Sequence, residues 1–330
     1  MPLLRGSGFQ AVGTGLGTRG RQVTGSQTSQ AEACSQRPTD DHKQAKGIKL
    51  LEWKELSTWR QNGSEHLRTG YREEHASLCS CLHSWLYIHN ETVNIFSHIF
   101  GMILFLALPL YIFGTEIAPR YELATPADIL VCSIYFLGVG ICFALSALFH
   151  TVMCHSEAMY SNGVILDYQG VMLLMWGANV PLIYYSYPCD FGLQLGSWGF
   201  NTILAVLCSY ATFHQSIGGP ALGHIRALLF AAFGFSSVVA PAVGGVLKHG
   251  FEAHSHRVGL YWIGVTAVFN ATGVVAYAAK FPERWYPRTF DIIGASHQIM
   301  HIMALSAAVA YTEAMLQAFD YHHHHRIACV

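Results

Sequence analysis

Long apolar segments alternate with short polar connectors over the last two thirds of the chain. The segments lie at residues 93–114, 127–153, 163–185, 193–213, 225–247, 258–279 and 292–314. At a rise of about 1.5 Å per residue, a helix of roughly 20 residues crosses a hydrocarbon core of about 30 Å. The pattern therefore predicts an all-α membrane protein built as a seven-transmembrane helix bundle.

The residues on either side of these segments define the predicted domain organisation. Residues 1–47 are rich in Gly, Ser, Thr and Gln without a sustained apolar run, which predicts a disordered cytosolic tail. Residues 48–92 form a cytosolic juxtamembrane segment, and residues 93–318 form the bundle. Residues 319–330 are a short carboxyl tail on the extracellular or lumenal side.

The juxtamembrane segment ends in an amphipathic pattern. Apolar residues and one histidine recur there at helical spacing: Leu78, Leu82, Trp85, Leu86 and His89. We expect a short interfacial helix that lies along the inner membrane surface. A cap that packs beneath the bundle would produce the same pattern, and this alternative stays open.

Composition and charge agree with a membrane protein and orient it. Only 12% of the residues are charged, whereas a soluble domain has about a quarter. The net charge of -1 argues against a nucleic-acid partner. Of the 19 Lys and Arg residues, 11 precede the first segment, three lie in the sixth connector, and Arg226 begins the fifth segment on the same side, which makes 15. The excess of basic residues on this side predicts a cytosolic amino terminus. Lys280, Arg284 and Arg288 are the strongest evidence for this orientation, because they lie close to the bilayer.

The cysteines indicate no metal site of their own. The chain has nine cysteines, and they form no C-x-x-C pair or regular spacing. Cys132, Cys142 and Cys208 fall inside apolar segments. We expect them to be small buried side chains rather than members of a disulfide framework.

Four potential metal-binding side chains lie at the ends of three apolar segments. His150 closes the second segment, Asp167 lies near the start of the third, and His297 and His301 begin the seventh. With alternating spans, all four lie at similar depth near the cytosolic side. Residues four apart share a helix face, so His297 and His301 can bind one ion together. Ionisable groups are costly in lipid and usually mark a functional site.

Three imidazoles with one open position are typical of a catalytic zinc site. Zinc acidifies water and polarises a carbonyl oxygen, and amide hydrolysis needs both effects. We expect Asp167 to hold the water and take its proton rather than bind the metal. Ser146 precedes His150 by one helical turn, so its hydroxyl can donate a hydrogen bond to a ligand carbonyl or to Asp167.

The remaining histidines are assigned ordinary roles. His98 is expected to make a polar contact between helices. His254 and His256 are expected in a solvated outer loop. The run His322 to His325 is open to adventitious metal binding.

Several local motifs resemble the progestin and adipoQ receptor family, which includes adiponectin receptors, fungal homologues and haemolysin III-type proteins. The resemblance runs from about residue 51 to residue 318 and looks most like the fungal branch. It is carried by Gly70-Tyr71-Arg72, His89-Asn90-Glu91-Thr92-Val93-Asn94-Ile95, Ser97-His98, Ser146-Ala147-Leu148-Phe149-His150, Leu166-Asp167-Tyr168, Phe281-Pro282-Glu283-Arg284-Trp285, Phe290-Asp291-Ile292 and Ser296-His297-Gln298-Ile299-Met300-His301. One departure is Pro287-Arg288, where the family often has Pro-Gly.

The resemblance implies seven helices, an inward amino terminus, zinc on His150, His297 and His301, and Asp167 in contact with the metal through water. Family members are described as receptors, as ceramidase-like hydrolases within a wider superfamily, and in fungi as proteins that affect zinc and lipid homeostasis. Multi-pass insertion in the plasma membrane or an endomembrane such as the endoplasmic reticulum or vacuole is expected.

Two functional hypotheses follow, and a third fits less well. The first is a zinc-dependent amide hydrolase that acts on a ceramide-like membrane lipid and releases fatty acid. The second is a signalling receptor with a structural zinc, an extracellular ligand and no catalysis. A zinc transporter would need polar groups stepped across the membrane, whereas here they crowd one side.

Overall fold

The computed structural model describes residues 49–61, 63–114, 120, 122–213 and 223–325. Its α-helices are α1 (Leu78–His83), α2 (Thr92–Gly114), α3 (Pro126–Val152), α4 (Glu157–Ser186), α5 (Phe191–Phe213), α6 (Gly223–His249), α7 (Phe251–Val258), α8 (Leu260–Ala279) and α9 (Ser296–His324). The described residues contain no β-strand, only an isolated bridge between Leu51 and Tyr71. The all-α prediction is confirmed, while the tail predicted as disordered over residues 1–47 lies outside the described residues.

The predicted apolar segments all form helices, but they differ in hydropathy. Within the described part of the chain, 6 helices are long and apolar enough to cross a membrane: α2, α3, α5, most of α6, α8 and α9. The predicted third segment forms α4, which has 30 residues but is not among the six. Polar residues such as Asp167, Gln169 and Asn179 lower its mean hydropathy. The count of seven spans therefore stays a prediction.

The long helices pack mainly against their neighbours along the chain. In this order α2 contacts α3, α3 contacts α4, α4 contacts α5 and α5 contacts α6, while α9 contacts both α8 and α2. The largest apolar core lies where α2, α3, α4 and α9 meet, and Phe105, Tyr135, Phe136 and Phe319 are buried there. This core holds together the three helices that carry the predicted metal-binding residues.

Glycines set the close approach of α3 to α4. A Cβ atom on Gly138 would lie 2.8 Å from the carbonyl oxygen of Leu173, and one on Gly170 would lie 2.9 Å from the Cα of Cys142. Contacts of this length to backbone leave no room for a side chain. Small residues at helix crossings allow this spacing in membrane bundles, and here the spacing places Asp167 of α4 beside the end of α3.

The last helix starts later and ends later than the sequence pattern indicates. It begins at Ser296 rather than residue 292, because Gly294 has φ +89° and so cannot be part of a right-handed helix. It continues to His324 rather than residue 314, because Met315, Leu316 and Phe319 remain in the core. The segment predicted as a carboxyl tail is thus helical in its described part.

At the end of the bundle opposite His150, a polar network joins the start of α3 to the ends of α4 and α9. Asp128 is buried and accepts hydrogen bonds from Thr125 and from the hydroxyl of Tyr185 (2.8 Å). Nε2 of His323 lies 3.1 Å from Oδ2 of Asp128. The run of histidines therefore extends α9 and packs on α3, since His323 is a partner of Asp128.

The connector before α9 contains the one noted departure from the family pattern. Arg288 adopts φ 66°, a left-handed conformation that glycine favours and that arginine adopts at a cost. The Pro-Gly sequence common in the family would suit this turn without strain.

One further expectation is corrected. His254 is fully buried in α7 rather than solvated, because its ring packs over Gly245, which has no side chain to exclude it; His256 is exposed. Cys189 is disulfide-bonded, whereas Cys132, Cys142 and Cys208 are buried thiols as expected.

The segment before α2 forms a short helix with one apolar face exposed. Leu78, Leu82 and Leu86 are at least half exposed, while His89 is buried against the bundle. Nε1 of Trp85 donates a hydrogen bond to the Thr151 hydroxyl (3.1 Å) at the end of α3. The element therefore packs on the bundle with one side and presents leucines on the other.

We expect Gly170→Val to destabilise the bundle by about 1–3 kcal/mol, the usual cost of overpacking a tight contact. Thermal unfolding of detergent-purified protein measures the effect. Gly196→Val on α5 is the matched control, because a Cβ at Gly196 would meet nothing within 4 Å. Equal loss of stability in both variants would show that helix–helix spacing is not the cause.

Candidate metal centre

Three histidines from two helices converge at one end of the bundle. His150 is in the last turn of α3, and His297 and His301 are in the first two turns of α9. Each ring offers one nitrogen, and these three atoms all lie within 4.8 Å of one another. His150 and His301 are buried, and His297 is half-buried. The structure thus brings together the three residues that the sequence predicted as ligands.

The arrangement fits a tetrahedral metal ion. Nitrogens that bind zinc at about 2.0–2.1 Å in tetrahedral geometry lie roughly 3.4 Å apart. Nε2 of His150 and Nε2 of His297 are 3.3 Å apart. Within the described chain, Nδ1 of His301 is buried without a hydrogen-bond partner. Three imidazoles suit zinc, copper, iron or nickel better than calcium or magnesium, so the donor set indicates a transition metal.

Glu91 orients the first of these rings. Its Oε2 atom lies 2.8 Å from Nδ1 of His150 and accepts a hydrogen bond from Nδ2 of Asn94 at 2.6 Å. A carboxylate on one ring nitrogen of a metal-binding histidine holds the proton there and leaves the other nitrogen free for the ion. Glu91 therefore directs Nε2 of His150 towards the centre of the group.

Glu91 belongs to one of the motifs seen in the sequence, but the motif alone did not predict its role. A signal was present, because Glu91 and Asn94 are polar residues one helical turn apart at the start of an apolar span. Ionisable residues in such positions are usually functional and have a partner. The sequence could not indicate that the partner is a histidine 59 residues away.

Arg72 holds the end of α3 in place. Its guanidinium is buried and donates to the carbonyl oxygens of His150 (2.6 Å) and Thr151 (2.9 Å) and to the hydroxyl of Ser84 (2.9 Å). Carbonyls in the last turn of a helix lack partners within the helix, and a cation there is favourable. Arg72 therefore fixes the turn that carries His150.

A carboxylate and an amide fix the start of α9 in a similar way. Buried Glu283 accepts hydrogen bonds from the backbone nitrogen (2.8 Å) and the hydroxyl (2.6 Å) of Ser296. Nε2 of Gln298 donates to the carbonyl oxygens of Asn90 (2.9 Å) and Ile292 (2.8 Å). A negative charge at a helix N-terminus is stabilising, so these contacts hold the turn that presents His297.

Asp167 and Ser146 lie beside the histidines but outside their group. Ser146 is buried on α3, one turn before His150, and its side chain lies beside Asp167 of α4. Asp167 is close enough to His150 for a direct electrostatic interaction. The group of mutually close ligand atoms consists of the histidines alone. Ser146 and Asp167 are thus neighbours, and the hydrogen bond expected between them stays a prediction.

His98 packs directly on the centre. Its ring stacks on that of His301 with centroids 3.8 Å apart and lies 4.7 Å from the ring of Phe143. Both ring nitrogens of His98 are buried without a hydrogen-bond partner in the described chain. The expected contact between helices is therefore made through the ring face, not through a hydrogen bond.

A family model for haemolysin-III-related proteins matches residues 86–312. The chain belongs to the haemolysin-III-related family. The match includes every histidine of the group, Glu91 and Asp167, whereas Arg72 lies outside it. Together with the long apolar helices, membership identifies a multi-pass integral membrane protein and confirms the resemblance described from the motifs.

Named relatives extend this result to receptor-like proteins. The chain is 34% identical to the adiponectin receptor protein of Drosophila melanogaster over 263 residues, which cover 80% of the chain and 58% of that protein. It is 31% identical to the ADIPOR-like receptor IZH1 of Eremothecium gossypii over 277 residues, 82% of the chain and 85% of the relative. The ADIPOR-like receptor IZH2 of Saccharomyces cerevisiae is 29% identical over 275 residues, 83% of the chain and 86% of the relative. The chain thus matches little more than half of the fly receptor and most of each fungal relative.

We expect Glu91→Leu to weaken metal binding by about 10–100-fold, because His150 then loses the carboxylate that sets its tautomer and orientation. Glu91→Gln keeps an acceptor without the charge and should fall between this variant and the parent protein. Competition with a chelator of known affinity measures the effect on purified protein. Glu313→Gln, an exposed carboxylate on α9, is the control; parent-like affinity in Glu91→Leu would contradict the assigned role.

Proposed function

We propose that this protein is a seven-helix membrane hydrolase that holds zinc on His150, His297 and His301 and cleaves the amide bond of a ceramide-type lipid. The observation that carries the proposal is a group of three histidines with a carboxylate close to it but outside it. Catalytic zinc sites have three protein ligands and one open position, whereas structural sites are closed by four. Asp167, a carboxylate outside the ligand set, suits the base that amide hydrolysis needs.

The connections on either side of α4 support a seventh crossing. The last residue of α3 is Val152 and the first of α4 is Glu157, and α4 ends at Ser186 before α5 begins at Phe191. Helices joined by such short connectors run antiparallel to each other. If α3 and α5 both cross the bilayer, α4 must cross it between them. Its 30 residues span about 45 Å, which is more than enough.

Charge and cysteine chemistry support a cytosolic position for the end that contains the histidines. Lys280, Arg284 and Arg288 lie in the connector before α9 at this end, and basic residues favour the cytosolic side. Cys189 is disulfide-bonded in the connector at the opposite end of α4. Disulfides persist in lumenal and extracellular compartments. The exposed leucines of α1 then face the inner membrane surface, as in an interfacial amphipathic helix.

The residues around the centre have complementary roles in this proposal. A zinc ion bound there would polarise an amide carbonyl and make water acidic enough to attack it near neutral pH. Asp167 holds the attacking water and accepts its proton, which it passes to the leaving nitrogen. Ser146 donates its hydrogen bond to Asp167 and keeps that carboxylate in place. Glu91 keeps His150 in the required tautomer.

A lipid amide is the substrate class that this position favours. The centre lies at the end of helices that span the membrane, so an acyl chain in the bilayer brings its amide to the same depth. Addition of water across the C–N bond gives a fatty acid and a long-chain amine. Relatives named as receptors favour a second function, in which the zinc is structural and the protein signals after binding an extracellular ligand without catalysis.

We expect purified protein in detergent to release fatty acid from a labelled ceramide. The double variant His297→Ala, His301→Ala should lose both zinc and activity. Asp167→Asn should keep the zinc and lose about 10²–10⁴-fold in rate, because general-base catalysis contributes about that much. The measurements are product formation by mass spectrometry and metal content by elemental analysis.

Release by the parent protein at the rate of the double variant would exclude the hydrolase. In the receptor alternative, removal of metal lowers the midpoint of thermal unfolding and no lipid is turned over. Release of fatty acid by the parent protein is expected of the hydrolase and not of the receptor. This distinction does not depend on how the variants fold.

The topology predicts opposite labelling of two engineered cysteines. Glu252→Cys, in the exposed part of α7, should react with a membrane-impermeant thiol reagent applied to intact cells. Arg284→Cys, exposed in the connector before α9, should react only after permeabilisation. Reaction of Arg284→Cys on intact cells would place the histidine end outside and reverse the proposed orientation.

A further inference from the structure

Two buried cysteines meet where the segment before the bundle packs on α3. Cys81 lies in α1, and Cys154 follows the last residue of α3 by two positions. Their Sγ atoms are 3.7 Å apart although the residues are 73 positions apart in the chain. Both are unbonded thiols and almost completely inaccessible to solvent. Sulfurs in contact at this distance need only a small movement to reach the ~2.05 Å of a disulfide.

The surroundings favour a thiolate on one of the two sulfurs. The hydrogen bond from Cys81 lowers the pKa of the Cys154 thiol, and the guanidinium groups of Arg72 and Arg60 lower it further, against the effect of burial. The thiolate is the form that reacts with peroxides and disulfides. Inside the helices, the thiol of Cys132 lies near the Tyr185 hydroxyl and that of Cys208 near the carbonyl oxygen of Leu229.

The pair belongs to the joint that fixes the metal-binding end of α3. The Ser84 hydroxyl donates to the carbonyl oxygen of Cys81 (2.6 Å) and accepts from Arg72, which also binds the carbonyl oxygen of His150. A covalent link between Cys81 and Cys154 would fasten this joint. Its formation would close a long loop, and such cross-links stabilise the folded state.

We propose that Cys81 and Cys154 form an oxidation site that converts reversibly between a dithiol and a disulfide and so clamps α1 to the end of α3. The Cys154 thiolate attacks one oxygen of hydrogen peroxide, the O–O bond breaks, and water leaves after protonation. The Cys81 sulfur then attacks the resulting sulfenic acid, an S–S bond forms, and a second water leaves. Two thiols are oxidised while one peroxide is reduced to two waters. The return to the dithiol takes two electrons from two molecules of a small cytosolic thiol, which become a disulfide themselves.

The position of the pair agrees with a regulatory link rather than a permanent one. A disulfide in the reducing cytosol is usually transient, and the proposed orientation puts this end of the bundle there. The helix that carries Cys81 has six residues, and a short element at the edge of a fold opens locally at low cost. Peroxide is small enough to enter through such an opening. Oxidation of the pair requires no hydrolase activity, and only its reducing surroundings rest on the proposed orientation.

The test oxidises the full-length protein in detergent with hydrogen peroxide and digests it under non-reducing conditions. We expect a linked peptide pair that contains Cys81 and Cys154, detected by mass spectrometry, and its loss after dithiothreitol. The midpoint of thermal unfolding should rise by a few degrees on oxidation and return on reduction. Cys81→Ser and Cys154→Ser should each abolish both effects.

Two control variants separate this pair from its neighbours. Cys79→Ser removes the exposed cysteine two residues before Cys81, and Cys208→Ser removes a buried thiol inside α5; both should keep the linked peptide and the thermal shift. A link from Cys154 to Cys79, a link between two chains, or oxidation of Cys154 to sulfinic acid without any link would each overturn the proposal. Elution of the oxidised parent protein as one species by size exclusion supports an internal link.

Discussion

The meeting of the last turn of α3 with the first turns of α9 is the constraint on which the rest of this structure depends. One helix ends and another begins at the same place, so the last carbonyls of α3 and the first N–H groups of α9 need partners outside their helices. They lie beside three imidazoles in a poorly solvated region. Arg72 satisfies the carbonyls, and Glu283 satisfies the start of α9. Glu91 pairs with His150. Buried charges are tolerated when each is paired and hydrogen-bonded in this way.

Close packing of α3 against α4 adds a carboxylate to the group of histidines. Asp167 is on α4 and is brought beside His150 because Gly138 and Gly170 let α3 and α4 approach to backbone contact. A larger residue at either position would push Asp167 away from Ser146 and the histidines. The same small residues that allow the two helices to pack closely therefore determine the distance between this carboxylate and the three histidines.

Much of the fold could be predicted from the hydropathy pattern, and the predictions that were wrong have physical explanations. Each predicted apolar segment is a helix because long apolar runs leave no other way to satisfy the backbone in lipid. The limits of α9 were missed since Gly294 and the Glu283 contact set its start, and packing of Phe319 sets its end. His254 was expected in solvent because its neighbours are polar, but Gly245 on the preceding helix leaves room for its ring. The low hydropathy of α4 results from polar residues that face other helices rather than lipid.

By itself the sequence determined the helical class, because periodicity and span length follow from the geometry of a single helix. It also determined that His297 and His301 share a face. Only the tertiary structure decided that their partner His150 lies 3.3 Å from His297, that Glu91 orients that ring, and that Arg72 holds its helix end. Contacts between residues far apart in the chain depend on how whole helices pack, and no local pattern encodes the packing of one helix against another.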